Sequence, residues 1–229
     1  MVHVSAGTDT YGRVKTVSGT PIVTKFAMLQ FLPLYPMQSF YFIGTGPTER
    51  TGVPFLASMR SVAVRGIPLA SVDTTSVAIA YARGVFGALA IVGFMVIVPG
   101  IMHLTGERLD DFAMIATRAL LISFVIGAVG GLLTYALPLT PRREREIRHY
   151  CGELLGVSAD PARVESETSA SLATYADEQH QSADNPRVQL IRQLIAARAM
   201  IAQAIDSHRM ETKTDELLER LRDADRITA

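Results

Sequence analysis

The chain is 229 residues long, with 22 Lys/Arg balanced by 22 Asp/Glu, 19% charged residues, 48% hydrophobic residues and one cysteine. Charge this sparse excludes a disordered chain and is unusual for a soluble enzyme, since soluble domains carry about 25% charged residues. The neutral balance argues against bulk nucleic-acid binding, and the lone Cys151 excludes an intramolecular disulfide framework and any Cys-x-x-Cys metal pair.

The zero sum conceals three zones. Residues 1–83 carry seven basic and three acidic side chains (net +4), residues 84–141 two and three (net −1), and residues 142–229 thirteen and sixteen (net −3). Together with the hydropathy pattern they predict an integral membrane α+β protein in three parts. A small N-terminal β domain occupies 1–75, a two-helix transmembrane hairpin 76–141, and a helical cytoplasmic domain 142–229.

In the first part, Ile22–Phe31, Ser39–Ile43 and Ser61–Leu69 are short apolar stretches rich in β-branched and aromatic residues. Between them lie Ser18-Gly19-Thr20-Pro21, Gly44-Thr45-Gly46-Pro47 and Thr51-Gly52-Val53-Pro54, which have turn chemistry. Pro33 and Pro36 predict that Phe31–Met37 is an edge or a connection. Phe26, Phe31, Tyr35, Phe40, Tyr41 and Phe42 fit the core of a small domain, or a surface that rests on the bilayer or a partner. Gly44-Thr-Gly-Pro47 lacks the Lys-Ser/Thr that a phosphate loop requires.

The run Phe26-Ala-Met-Leu-Gln-Phe-Leu-Pro-Leu-Tyr-Pro36, followed by Phe40-Tyr-Phe42, resembles the centre of small bacterial zinc-ribbon domains on short membrane proteins. Residues 20–45 carry the resemblance, which implies a ribbon-like β scaffold. Zinc does not carry over, because the segment has no cysteine where that family has two Cys-x-x-Cys knuckles.

The hairpin is the strongest signal. Gly84–Gly106 and Ala119–Pro141 contain no ionised residue, and about 20 mainly apolar residues suffice to cross the hydrocarbon. The predicted spans are about 82–103 and 112–137. Tyr81 and Tyr135 fall at one interface, Arg83, Arg142 and Arg143 flank it, and Arg118 snorkels outward or else lines a passage. The acidic His103–Asp111 loop, set against these basic flanks, puts both termini in the cytoplasm. Residues 1–25 contain no signal-peptide core, so the first span is its own insertion signal. Pro99 predicts a kink, and Asp110 or Asp111 a cap for the second helix. Ala80, Gly84 and Ala88, and likewise Ser123, Gly127 and Gly131, repeat every four residues, which suggests small-residue faces for helix packing and oligomerisation.

In the third part a charged helix continues through Leu155, and Asp160-Pro161 and Asn185-Pro186 are helix starts. Gln179–Asp184 is a polar linker. Leu190, Leu194, Ala197, Ile201 and Ala204 form a heptad-like seam, suited to a coiled coil or to local packing, with His208 at its end. Thr214 is expected to begin the last helix.

No catalytic, cofactor or metal motif stands out, and His149 with Cys151, or His103 with Glu107, lack further ligands. The expected function is that of a structural or accessory membrane subunit without catalytic chemistry, acting through protein–protein association. The alternative is a small channel or transporter built by oligomerising the hairpin. The expected partners are the lipid bilayer and other membrane subunits or further copies of the chain, with no nucleic acid and no metal. Nineteen Arg against three Lys, and a single Asn, point to a GC-rich bacterial genome and so to the bacterial inner membrane.

Overall fold

The computed structural model describes residues 4–29, 32–53, 57–103, 111–136, 140–179 and 185–228. Four strands come first: β1 (Val4–Val17), β2 (Thr20–Leu29), β3 (Leu32–Val53) and β4 (Ala57–Pro68). Six helices follow: α1 (Thr74–His103), α2 (Asp111–Ala136), α3 (Arg142–Leu155), α4 (Ser166–Gln179), α5 (Pro186–Ala202) and α6 (Ser207–Thr228). A 3-10 turn, Pro161–Arg163, precedes α4.

The strands close into a barrel. β1–β2, β2–β3 and β3–β4 pair antiparallel, and Val4–Thr8 of β1 pairs in parallel with Ala57–Ser61 of β4. The closure depends on the length of β3, because its far half, hairpinned to β4, curls round to reach β1. Ser18 (φ 45°) and Gly19 (φ 81°) make the β1–β2 turn with two positive φ angles, the turn type that matches strand twist.

One expectation for the sheet is corrected and one is met. Gly44–Pro47 is not a turn: β3 runs through it, with register shifts at Phe42/Gly44 and Thr45/Thr48. Glycine and proline here serve as bulges that bend a single long strand. Leu32–Met37 is an edge stretch of β3, as its prolines predict: it pairs with β2, and the pairing of β3 with β4 begins only at Phe40. Pro33 pairs with Met28 and Pro36 with Phe26 beside register shifts, so the missing N–H groups fall where the ladder is already irregular. β1 escaped sequence reading because its alternation is mostly polar.

The aromatic residues divide. Phe26 and Tyr41 are fully buried, Phe40 and Phe42 half-buried, and Tyr35 is exposed, while Phe31 lies outside the described residues. Phe26 and Met28 pack on Ala80 and Val77 of α1, so the first turns of that helix stopper the barrel. Within the stopper, the Ser76 hydroxyl donates to the Gly12 carbonyl at 2.7 Å and accepts from Thr24 at 2.9 Å.

α1 and α2 run antiparallel and touch through glycines. A Cβ added at Gly127 would lie 2.5 Å from the Ala90 nitrogen, and one at Gly93 would lie 2.7 Å from the Leu120 carbonyl oxygen. Thr74–Phe94 and Arg118–Tyr135 have mean hydropathies of 1.8 and 1.7, long and apolar enough to cross a membrane. α1 continues as helix through Pro99 to His103. The expected caps Asp110 and Asp111, the His103–Glu107 pair and most of the Gln179–Asp184 linker fall outside the residues or side chains described.

Helices α3–α6 form a bundle around Ile147, Cys151, Ile191, Leu194, Leu218 and Leu221. Each such Ile or Leu side chain contributes roughly 1.5–3 kcal/mol on burial. Asn185 caps α5, its side chain accepting from the Arg187 N–H at 2.9 Å, and Asp160 caps the 3-10 turn through the Ala162 N–H at 3.0 Å. The last helix begins at Ser207, not at Thr214. Thr214 is buried inside α6, its hydroxyl returned to the Met210 carbonyl, which meets the hydroxyl's polar demand without breaking the helix. The bundle and the barrel lie at the same end of the hairpin and share a core in which Ala159 and Val164 join Val14, Ile22, Tyr41 and Leu69.

Candidate functional site

The barrel, the entry to α1 and the helical bundle meet at a buried ionic junction. Asp73 is the N-cap of α1, and one of its oxygens accepts from the Ser76 N–H at 2.8 Å. Its other oxygen receives Lys15 of β1 at 2.9 Å and Arg163 of the 3-10 turn at 2.5 Å. Arg163 also holds Glu144 of α3 at 2.7 Å. A second chain of pairs begins at Asp160, gripped by Arg198 of α5 through Nη2 at 2.7 Å and Nε at 2.9 Å. Arg198 reaches Glu211 of α6 at 2.9 Å, and Arg143 of α3 binds Glu211 and Asp215.

Between the two chains lies a cleft of about 360 Å³ lined by Lys15, Arg143, Glu144, Asp160, Arg163 and Arg198. Lys15, Arg143, Arg148, Arg163 and Arg198 balance Asp73, Glu144, Asp160, Glu211 and Asp215, so the junction is neutral. It ties six elements, β1, α1, the 3-10 turn, α3, α5 and α6, together by charge-assisted bonds.

Arg148 is the deepest of these cations. Its guanidinium is fully buried, stacks 4.8 Å from the centre of the Tyr41 ring, and donates to the carbonyls of Ser158 (2.9 Å), Lys15 (2.5 Å) and Thr20 (2.6 Å). Glu144 is no closer than 3.8 Å, so backbone dipoles carry most of its charge compensation.

Burial would raise the Asp73 carboxyl, but the hydrogen bonds from Lys15, Arg163 and the Ser76 N–H outweigh it and hold the group below its ordinary 3.8. A carboxyl depressed in the fold stabilises it above the unfolded value, and that contribution is lost as pH falls through the folded value. Arginine partners depress Glu146, Glu211 and Asp225 in the same direction against the opposing effect of burial. Unfolding midpoints are therefore expected to fall steadily from about pH 4 downward. Asp73→Asn should be less stable at pH 7 and show a shallower acid slope, checked by denaturant titration across that range.

The predicted packing residues serve different surfaces. Ala80 is buried against the barrel, a Cβ at Gly84 would lie 3.8 Å from Pro33 Cδ, and Ala88 lines a cavity described below. Of the three glycines among the six, Gly127 lies tightly on the opposite helix. Ser123 returns its hydroxyl to Ala119, and Gly131 has open space around it. Gly93 and Gly130, which sequence reading passed over, complete the helix contact. Of the seam residues, Leu194 and Ala197 are buried in the bundle and Leu190 and Ile201 pack against it. Ala204 lies beyond the end of α5 at φ 58°.

Among the anchors, the Tyr81 hydroxyl donates to the Leu34 carbonyl, Tyr135 lies under Arg83, and Arg118 is exposed. Arg142 pairs with Glu146, and Arg143 belongs to the junction. His149 is exposed and Cys151 buried, on opposite faces of α3. Among the described residues, no group of three or more His, Cys, Asp or Glu is placed to hold a metal ion.

A second cavity, of about 480 Å³, lies where β1 meets the first span. It is walled by Thr10–Arg13, Val23 and Phe42 on the barrel side, and by Arg83, Gly84, Gly87, Ala88, Ile91 and Tyr135 on the helix side. Comparison with protein-family models, curated proteins and solved structures found no match.

Proposed function

We propose that the chain is a membrane-anchored accessory subunit, in which the α1–α2 hairpin spans the cytoplasmic membrane of a bacterium. The barrel and helical bundle are then held together at its cytoplasmic face to engage other subunits. One observation carries the reading: only 11% of each apolar span is buried, although both are long enough to cross a bilayer. Val85, Val92, Phe94, Leu121, Ile122 and Leu132 are all more than half exposed, where a soluble core helix would bury them. The bundle and barrel at one end of the hairpin fit both termini facing one compartment, and the basic flanks select the cytoplasm.

The junction supports a scaffold role, because its charges are spent on one another and fix the orientation of two modules. Within one hairpin the helices meet backbone to backbone at Gly93 and Gly127, so the channel alternative requires a lumen between several hairpins.

Alkaline extraction of native membranes, followed by affinity purification in mild detergent and mass spectrometry, tests both halves. The chain should stay in the alkaline-insoluble membrane fraction and bring one or more membrane proteins with it, or further copies of itself. Release at alkaline pH would overturn the anchor, and a strict monomer without companions would overturn the accessory role.

A further inference from the structure

Guanidinium groups in the helical bundle mostly have carboxylate partners, as Arg143, Arg163, Arg187, Arg198 and Arg222 illustrate. The two that border the 480 Å³ cavity do not. Among the described residues, neither the exposed Arg13 nor the half-buried Arg83 has a carboxylate within ion-pair distance, and a partly buried cation such as Arg83 is costly to leave without compensation. Arg83 is fixed rather than free to swing. It stacks 3.8 Å from the centre of the Tyr135 ring, and its Nη2 donates to the Thr134 carbonyl at 2.9 Å and to the Arg13 carbonyl at 3.4 Å. Arg13 lies 5.6 Å from the centre of the Phe42 ring.

The cavity continues away from these cations along an apolar floor of Gly84, Gly87, Ala88 and Ile91, which climbs α1 into the span. A Cβ added at Gly87 would meet nothing within 4 Å, so the floor is open there. The volume falls within the roughly 300–1,000 Å³ of ligand pockets. A cationic mouth level with Tyr135 and an apolar channel running toward the bilayer centre match one class of molecule, an amphiphile with an anionic head and a hydrocarbon tail.

We infer that this cavity binds an anionic glycerophospholipid of the surrounding bilayer, its phosphate at Arg13 and Arg83 and one acyl chain over Gly87 and Ile91. Arg83 spends Nε on the Thr134 hydroxyl at 3.3 Å and Nη2 on backbone carbonyls, which leaves its Nη1 and its charge for the phosphate beside Arg13. Basic pockets between cytoplasmic-side helix ends are places where lipid headgroups bind. The inference rests on the membrane reading above and adds a specific lipid contact to it.

The full chain, purified in mild detergent, is exchanged into phosphatidylcholine nanodiscs with and without phosphatidylglycerol, and retained lipid is measured by native mass spectrometry after detergent release. Phosphatidylglycerol should be retained in preference to phosphatidylcholine. Arg13→Gln with Arg83→Gln should lower that retention roughly tenfold or more, as loss of charge-assisted phosphate bonds requires. Gly87→Leu keeps both cations and adds its side chain in open space, so it should lower retention without lowering the thermal midpoint. Arg118→Gln, at an exposed position on α2 outside the cavity, should change nothing.

Equal retention of the two lipids, or wild-type retention in Gly87→Leu, would overturn the inference while leaving the anchor intact. Displacement of phosphatidylglycerol by inorganic phosphate alone would also overturn it, since the tail would then contribute nothing. Failure of alkaline extraction to leave the chain in the membrane would instead bring down the membrane reading itself.

Discussion

Arg148→Met should cost about 3–5 kcal/mol of stability, a large part of the 5–15 kcal/mol that holds an ordinary domain together. Methionine replaces much of the aliphatic volume, so the loss comes from polar groups left without partners. The carbonyls of Lys15, Thr20 and Ser158 all lose the donor that Arg148 supplies, and each stranded buried group costs roughly 1–3 kcal/mol. Two of those carbonyls flank the β1–β2 turn, and Lys15 is itself held at φ 51°, a left-handed conformation that costs a non-glycine residue about 1–2 kcal/mol. Arg148 therefore holds a strained turn against α3.

Lysine at 148 presents a compact ammonium and cannot reach three carbonyls in one plane, so Arg148→Lys should recover only part of the loss. Equilibrium unfolding in mild detergent gives the magnitude. Hydrogen exchange locates it: amides around residues 15–20 should exchange faster while those in the middle of α5 stay protected. A midpoint unchanged from wild type would show that the junction contributes nothing to stability.

The predictability of each part of this fold follows from the range of the interaction that makes it. The two apolar helices were legible because hydropathy and charge-free length are properties of contiguous residues, and α1 contains the first predicted span and α2 residues 112–136 of the second. Caps such as Asn185 and Asp160 were legible for the same reason, with their partners two residues away. The barrel was legible as β structure but not in its closure. Gly44 and Gly46 carry the same signature in a bulge as in a turn, and only the curl of the whole of β3 decides between them.

The junction was not legible at all. Asp73 meets Lys15 across 58 positions and Arg163 across 90, and Arg148 meets Thr20 across 128. In sequence each of these charges is unremarkable on a solvated face, and Arg143, read as an interface anchor, binds Glu211 and Asp215. The four-residue repeat of Ala80, Gly84 and Ala88 was a true face but served the barrel and its cavity, because small side chains permit close approach to any partner.

Gly12→Ala should be the most damaging methyl group that can be added to the barrel, at about 3 kcal/mol or more. Gly12 has φ +68°, where alanine is strained by about 1–2 kcal/mol, and its added Cβ would sit 2.0 Å from the Ser76 carbonyl oxygen. That oxygen belongs to the first turn of α1 and cannot rotate aside as a side chain would. Either β1 or the helix must shift, with an overpacking cost of roughly 1–3 kcal/mol. The shift also pulls apart the Gly12–Ser76–Thr24 hydrogen bonds and opens the contact of Ala80 and Val77 with Phe26 and Met28. Gly19→Ala separates the two causes. Gly19 has φ +81°, but nothing lies within 4 Å of its added Cβ, so it should lose only the conformational part, about 1–2 kcal/mol. Denaturant midpoints of the two variants, measured side by side, should differ by at least the overpacking cost. Equal losses would mean that the close approach of β1 to α1 is not what joins the barrel to the hairpin.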